Sequence, residues 1–170
     1  SQCNEEENSY EGRLWLYDGA LRQLTDLGRE KSYIWQDTTH LLFPAVRSVK
    51  EKKLAEQKIP FTAYYRLDVT GGEALPAFTL PFAAQAIKAL GEGRYADLGQ
   101  INTNNPDDYL DDAQKRGETA KALEKEKDYE VFDESPFWSN GDGVINKTRS
   151  ALFLVKENPF QVTRITEPAF

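Results

Sequence analysis

One cysteine, one histidine and no methionine occur in the 170 residues. Cys3 alone can form neither an internal disulfide nor a cysteine-based metal cluster. A single thiol fits a reducing compartment, so a cytoplasmic protein without metal or other cofactor is expected. No apolar run approaches the roughly 20 residues of a membrane span. The first nine residues are polar and acidic, so no signal peptide is read. The net charge of −7 argues against a nucleic-acid or anionic-membrane partner. The missing methionine, together with a start and a stop in mid-repeat, predicts a piece of a longer protein.

What is present favours strands. Three Trp, eight Tyr and nine Phe are residues that fit pleated, half-buried surfaces. Residues 62–79 read as strand, tight turn, strand, with Val69-Thr70-Gly71-Gly72 as the turn, because glycine accepts positive φ. The unit recurs at 13–25 and 150–166, and each copy ends in apolar-Thr: Leu24-Thr25, Phe78-Thr79, Ile165-Thr166. Self-similarity on this scale is a signature of propeller blades or arrays.

Residues 1–11 read as a polar lead-in. The first hairpin turns at Asp18-Gly19, a strong short hairpin signal. Leu14 and Leu16 share one of its faces, Trp15 and Tyr17 the other, which predicts a sheet packed on both sides. Residues 31–48 give a strand at Tyr33-Ile34-Trp35, a turn at Gln36-Asp37-Thr38-Thr39, and a strand from Leu41 to Val46. Pro44 is expected at an edge or bulge, since it cannot donate to a ladder. Residues 49–60 are a charged hairpin extension or a short exposed helix closed by Pro60. Residues 82–90 and 94–102 read as a further strand pair. An insertion at 104–128 carries a helix of about two turns over 119–127, expected as an exposed, mobile arm. Residues 130–137 return to a strand-like pattern.

Chemistry-bearing motifs are sparse. There is no G-x-S-x-G elbow, so an α/β-hydrolase nucleophile is missing. His40 reads as a turn-end histidine rather than a general base, because no Ser or Cys near it has a nucleophile context. Asn140-Gly141-Asp142-Gly143-Val144-Ile145 resembles the middle of a calcium loop, but Trp138 and Arg149 stand where an EF-hand needs acids. Turn chemistry is the better reading, and no metal site is assigned. The Asn146-Lys147-Thr148 acceptor pattern has meaning only in a secreted protein. Asp133 and Glu134 beside Pro136-Phe137-Trp138 can line a polar passage, or pack as a loop between sheets. Asp133, Glu134 and Trp138 are the candidate passage residues.

Three stretches carry a resemblance: Leu16-Tyr17-Asp18-Gly19 with Arg22-Gln23-Leu24-Thr25; Leu67-Asp68-Val69-Thr70-Gly71-Gly72-Glu73-Ala74; and the run from Val131 to Gly143, VFDESPFWSNGDG. The chain resembles the N-terminal β-propeller of prolyl oligopeptidase family serine peptidases, acylaminoacyl-peptidase-like members in particular. The first two stretches are shared with TolB-like propellers, and a non-catalytic protein-binding propeller is the alternative. The resemblance implies a propeller seated on a C-terminal α/β-hydrolase domain that carries the catalytic triad. In that arrangement the propeller gates entry of short peptides. No catalytic residue falls in this chain. The expected fold is all-β: about two four-stranded antiparallel blades plus part of another, with one short helical insertion. The expected division is 1–30 in a first blade, 31–80 in a second, 81–166 in a third with the 104–128 insertion, and 167–170 beginning the next. Such a piece cannot close a ring, so it is expected to self-associate through faces holding Leu14, Leu16, Tyr33, Trp35, Phe43, Tyr65, Leu152, Phe153 and Leu154.

Overall fold

The computed structural model describes residues 2–4, 9–26, 32–103, 105–126, 137–139, 143–145 and 148–167. Its strands are β1 (Gln2–Asn4), β2 (Ser9–Glu11), β3 (Trp15–Tyr17), β4 (Leu21–Gln23), β5 (Ile34–Trp35), β6 (His40–Pro44), β7 (Thr62–Asp68), β8 (Leu75–Leu80), β9 (Ala84–Gly91), β10 (Arg94–Asn102), β11 (Phe137–Ser139), β12 (Gly143–Ile145), β13 (Thr148–Lys156) and β14 (Gln161–Arg164). Two helices interrupt them, α1 (Val49–Glu56) and α2 (Ala113–Glu126). The fold is mainly β and the sheets are antiparallel. Among the described residues no helix is long and apolar enough to cross a membrane.

Sheet I runs β5-β6-β7-β8 and sheet II runs β9-β10-β13-β14, each in chain order. The short link from Leu80 to Ala84 carries the chain from the last strand of sheet I to the first of sheet II. The sheets pack face to face. Leu42, Tyr64, Phe78 and Leu80 from sheet I meet Tyr95, Ile101, Phe153 and Val155 from sheet II in one buried cluster. Phe82 in the link stacks on Phe153 at 4.2 Å between ring centroids. That contact requires Gly99, since a Cβ there would lie 2.5 Å from the Phe82 ring. At the turn end, Arg66 of β7 donates through Nε to Gln36 Oε1 at 2.6 Å and pairs with Glu157 of the β13–β14 turn, tying the two sheets together. Tyr95 adds a bond to the same Glu157 at 3.3 Å.

The other face of sheet I is also covered. Phe43, Ala63, Tyr65 and Leu67 pack with Leu14 and Leu24, which flank the β3–β4 hairpin. Arg22 donates from this hairpin to the Val69 carbonyl at 2.6 Å. Helix α1 lies in the β6–β7 connection. Ser48 caps it in a reciprocal capping box with Glu51. Glu51 also accepts from Tyr65 Oη at 2.9 Å, so the cap is bonded to sheet I.

The terminal threonines of the repeated hairpins have a shared geometry. Leu14 N–H donates to Thr25 Oγ1 at 2.9 Å, and Leu14 O accepts from Leu24 N at 2.8 Å. In sheet II, Leu152 N–H donates to Thr166 Oγ1 at 2.9 Å, and Leu152 O accepts from Ile165 N at 2.7 Å. The registers match as well: Trp15 faces Gln23 as Phe153 faces Arg164. Thus β3–β4 is built like the outer hairpin of sheet II. The middle copy differs, because Thr79 pairs with Ala63 inside the β7–β8 ladder.

Several expectations need correction. Helix α2 begins six residues earlier than read, at Ala113, because Asp112 accepts from Lys115 N at 2.9 Å and caps its first turn. It is not a free arm, since Gly117 is buried against Ile59. Within the 49–60 stretch Val49–Glu56 form helix α1, so the helical content is not a single insertion. The excursion from sheet II spans 103–147 rather than 104–128. It holds the separate β11–β12 hairpin, so sheet II takes β13 as its third strand. The strand read at 82–90 starts at Ala84, with Phe82 turned into the core. The first hairpin is covered on one face only: Trp15 and Tyr17 are 52% and 75% exposed. Of the faces expected to lack cover, Leu14, Phe43, Tyr65 and Phe153 are in fact buried, while Tyr33 and Trp35 are exposed.

Candidate functional site

The 103–147 excursion leaves sheet II at Asn102 and returns at Thr148, which are register partners. At its root lies a cleft of about 150 Å³. Pro60, Pro81, Phe82 and Ile101 give it apolar walls, and Asp108, Arg116, Thr119 and Thr148 bring polar groups to it. Asp108 opens a single 3₁₀ turn, Asp108–Leu110. Arg116 comes from the first turns of α2.

Arg116 is held by backbone. Its Nη1 donates to the Pro60 carbonyl at 2.9 Å and to the Pro81 carbonyl at 2.5 Å. These carbonyls lie in the loop entering β7 and at the start of the β8–β9 link, so one guanidinium ties α2 to the edges of both sheets. One residue later Gly117 lets the helix approach: a Cβ there would sit 3.1 Å from Ile59 Cδ1. A glycine inside a helix costs about 1 kcal/mol relative to alanine, and the contact offsets that cost. Arg116 Nε is buried without a hydrogen-bond partner among the described residues.

Burial is the leading influence on both charged groups. It pushes the Asp108 carboxyl above its ordinary range, and the nearby Arg116 pulls it partly back. It also lowers the Arg116 guanidinium, against the pull of Asp108, Asp112 and Asp111. Asp111 is the contrasting acid: bonded to Lys115 at 2.7 Å, it stays below the usual carboxylate range. A poorly solvated donor and a poorly solvated acceptor therefore line the same apolar-walled cleft. An apolar pocket with a few convergent polar groups is the general form of a ligand site.

A second buried acid lies deeper. Asp97 of β10 is fully buried between the sheets, with Tyr64 Oη at 3.5 Å and its Oδ1 unpartnered among the described residues. Desolvation pushes its carboxyl up to about 7.

The sequence-predicted residues fall elsewhere. Asp133 and Glu134 lie outside the described residues, and Trp138 is described only as the middle of β11. All three belong to the excursion whose root is the cleft. His40 begins β6, where its Nδ1 lies 2.9 Å from both Asp37 carboxylate oxygens. Asp37 also accepts from the Thr39 and His40 backbone N–H groups, which hold its carboxyl low, at about 2. The Thr39 hydroxyl lies 3.1 Å from the same Nδ1 and donates to Asp37 at 3.2 Å, so all three side chains close one turn. Of the calcium-like stretch only Gly143, Val144 and Ile145 are described, as β12. Among the described residues no group of three His, Cys, Asp or Glu is placed to hold a metal ion.

Sequence reasoning missed Asp108, Arg116 and the cleft. One signal was present: Asp112 followed by Gln114-Lys115-Arg116 is an N-cap followed by good helix formers. The proximity of Pro60 and Pro81 to Arg116 is tertiary and left no local mark. Neither a scan against protein-family models nor a search of curated proteins finds a match.

Proposed function

We propose that this chain is a non-catalytic stretch of the N-terminal β-propeller of a prolyl oligopeptidase family serine peptidase, acylaminoacyl-peptidase-like. It gates access of short peptides and docks on an α/β-hydrolase domain. The observation that carries the reading is the repeat in the hydrogen bonds. The hairpin ending Leu24-Thr25 and the hairpin ending Ile165-Thr166 share one register and one threonine lock. In the first, the Leu14 side lies against the next four-stranded sheet. In the second, the matching residues Leu152 and Leu154 have no sheet against them among the described residues. Successive meanders that stack in chain order, each presenting the same side to the next, are what radial repetition requires. The excursion bearing Asp133, Glu134 and Trp138 is then the element that lines the passage, and the uncovered side is the source of self-association.

Reading the coding sequence beyond Phe170 tests the proposal. A G-x-S-x-G elbow, with Asp and His after it, is the expected result. Further repeats ending in a stop codon without an elbow would overturn it in favour of a protein-binding propeller.

A further inference from the structure

We infer that the cleft at the foot of α2 binds one uncharged peptide unit, with Arg116 donating to its carbonyl, Asp108 accepting from its N–H, and a small apolar side chain seated over Phe82 and Ile101. The inference rests on the peptide-gating reading and supplies that reading with a site. Three observations lead to it.

The first is the spare hydrogen-bonding capacity. A guanidinium carries five N–H donors. Arg116 uses Nη1 for two carbonyls, while its Nε and Nη2 have no acceptor among the described residues. The Asp108 carboxylate meets only the Tyr109 backbone N–H, with no side-chain donor among the described residues. The second is charge. A cationic ligand would face Arg116 and an anionic one would face Asp108. A neutral amide, with one acceptor and one donor, satisfies both and adds no net charge to a partly buried place. The third is size. A cleft of about 150 Å³ matches the volume that takes a benzene-sized apolar group in an engineered protein cavity. A leucine-sized side chain fits that volume, and a larger aromatic does not.

The test is a titration of the ¹⁵N-labelled chain with N-acetyl-leucine methylamide, read by amide chemical shifts. Saturable shifts at Gln100, Asn102 and Thr119 are expected at millimolar concentration. N-butylammonium and N-acetyl-leucinate, each carrying one of the two charges, should bind several-fold more weakly. Asp108→Ala should weaken the diamide about tenfold, the loss expected for a hydrogen bond to a charged group. Ala83→Leu fills the cleft without touching either charged group and should abolish the shifts while the melting temperature holds. Absence of saturable shifts, equal binding by Ala83→Leu, or tighter binding of either charged analogue would overturn the inference. Its failure is distinguishable from failure of the peptidase reading. The titration reports on the cleft whatever follows Phe170, and the coding sequence reports on the elbow whatever the cleft binds.

Discussion

Sheets I and II are both four-stranded and antiparallel with their strands in chain order, yet they bury their strands differently. In β7, TAYYRLD, residues Ala63, Tyr64, Tyr65 and Leu67 are all buried, because the hairpin covers one face and sheet II the other. In β10, RYADLGQIN, burial alternates: Tyr95, Asp97, Gly99 and Ile101 face sheet I, while Arg94, Leu98 and Gln100 are exposed. The same alternation runs along β13 through Ala151, Phe153 and Val155. A strand with layers on both sides reads as a continuous apolar run; a strand with one layer alternates. Sheet II nevertheless keeps leucines at 98, 152 and 154 on its outer side, where alternation alone would allow polar residues. On the propeller reading proposed above, that side would take another layer.

Core truncation breaks the contrast most strongly. Phe153→Ala should cost about 3–5 kcal/mol in urea unfolding, since the ring is fully buried between Phe82 and Tyr109. The neighbouring Leu154→Ala, on the outer side, should cost under about 1 kcal/mol. Equal losses at the two positions would mean that the outer side is covered in solution.

Asp97 sharpens the same boundary through pH. Its folded carboxyl titrates at about 7 against 3.8 for the free group, so the folded state holds the proton longer. Stability therefore falls as pH rises from about 4 to about 7 and levels off above. Asp97→Asn removes that fall. The variant should gain roughly 2–4 kcal/mol over the parent at pH 8 and nearly nothing at pH 4. A gain that does not depend on pH would show that Asp97 is solvated.

Glu51 has the opposite sign and a smaller effect. Its carboxyl is held below the ordinary value despite desolvation, by the Arg47 and Ser48 N–H groups and by Tyr65. Its contribution is present above its unfolded pKa of about 4.5 and is lost as pH falls through the lowered folded value. Glu51→Ala should cost about 1–2 kcal/mol at pH 7, as loss of a cap and its partners does. Repeating the denaturation near pH 3 should shrink the difference between variant and parent.

The hairpins were legible because their turns obey local rules. Asp18-Gly19 and Gly71-Gly72 adopt the positive φ that glycine permits, at 105° for Gly19 and 150° and 109° for the pair. Strand β10 matches its sequence reading of 94–102. The repeated apolar-Thr endings were visible too, though only the structure gives two of them a common hydrogen bond. The Ser48-x-x-Glu51 capping box was legible and went unread, leaving α1 undecided. Other features were not in the local pattern. Trp15 and Tyr17 look like core residues, and nothing in the hairpin says that only the Leu14 side is met by another sheet. The early start of α2 followed from a cap at Asp112 in a run of acids that reads as loop. Its docking depends on Ile59, Pro60 and Pro81, more than thirty residues away.

The outer side of sheet II decides the central claim. Four strands at ~4.8 Å and about seven residues at ~3.3 Å give a face of roughly 450 Å², below the ~800 Å² per partner of a standard interface. Self-association should therefore be weak, with a dissociation constant between about 10 μM and 1 mM. Sedimentation of the chain over a dilution series measures it, beside a Leu98→Lys, Leu152→Lys variant that charges the face. A sheet prepared for another layer predicts a mass that rises with concentration for the parent and stays at 19.3 kDa for the variant. A parent that remains a folded 19.3 kDa monomer up to millimolar concentration would contradict it.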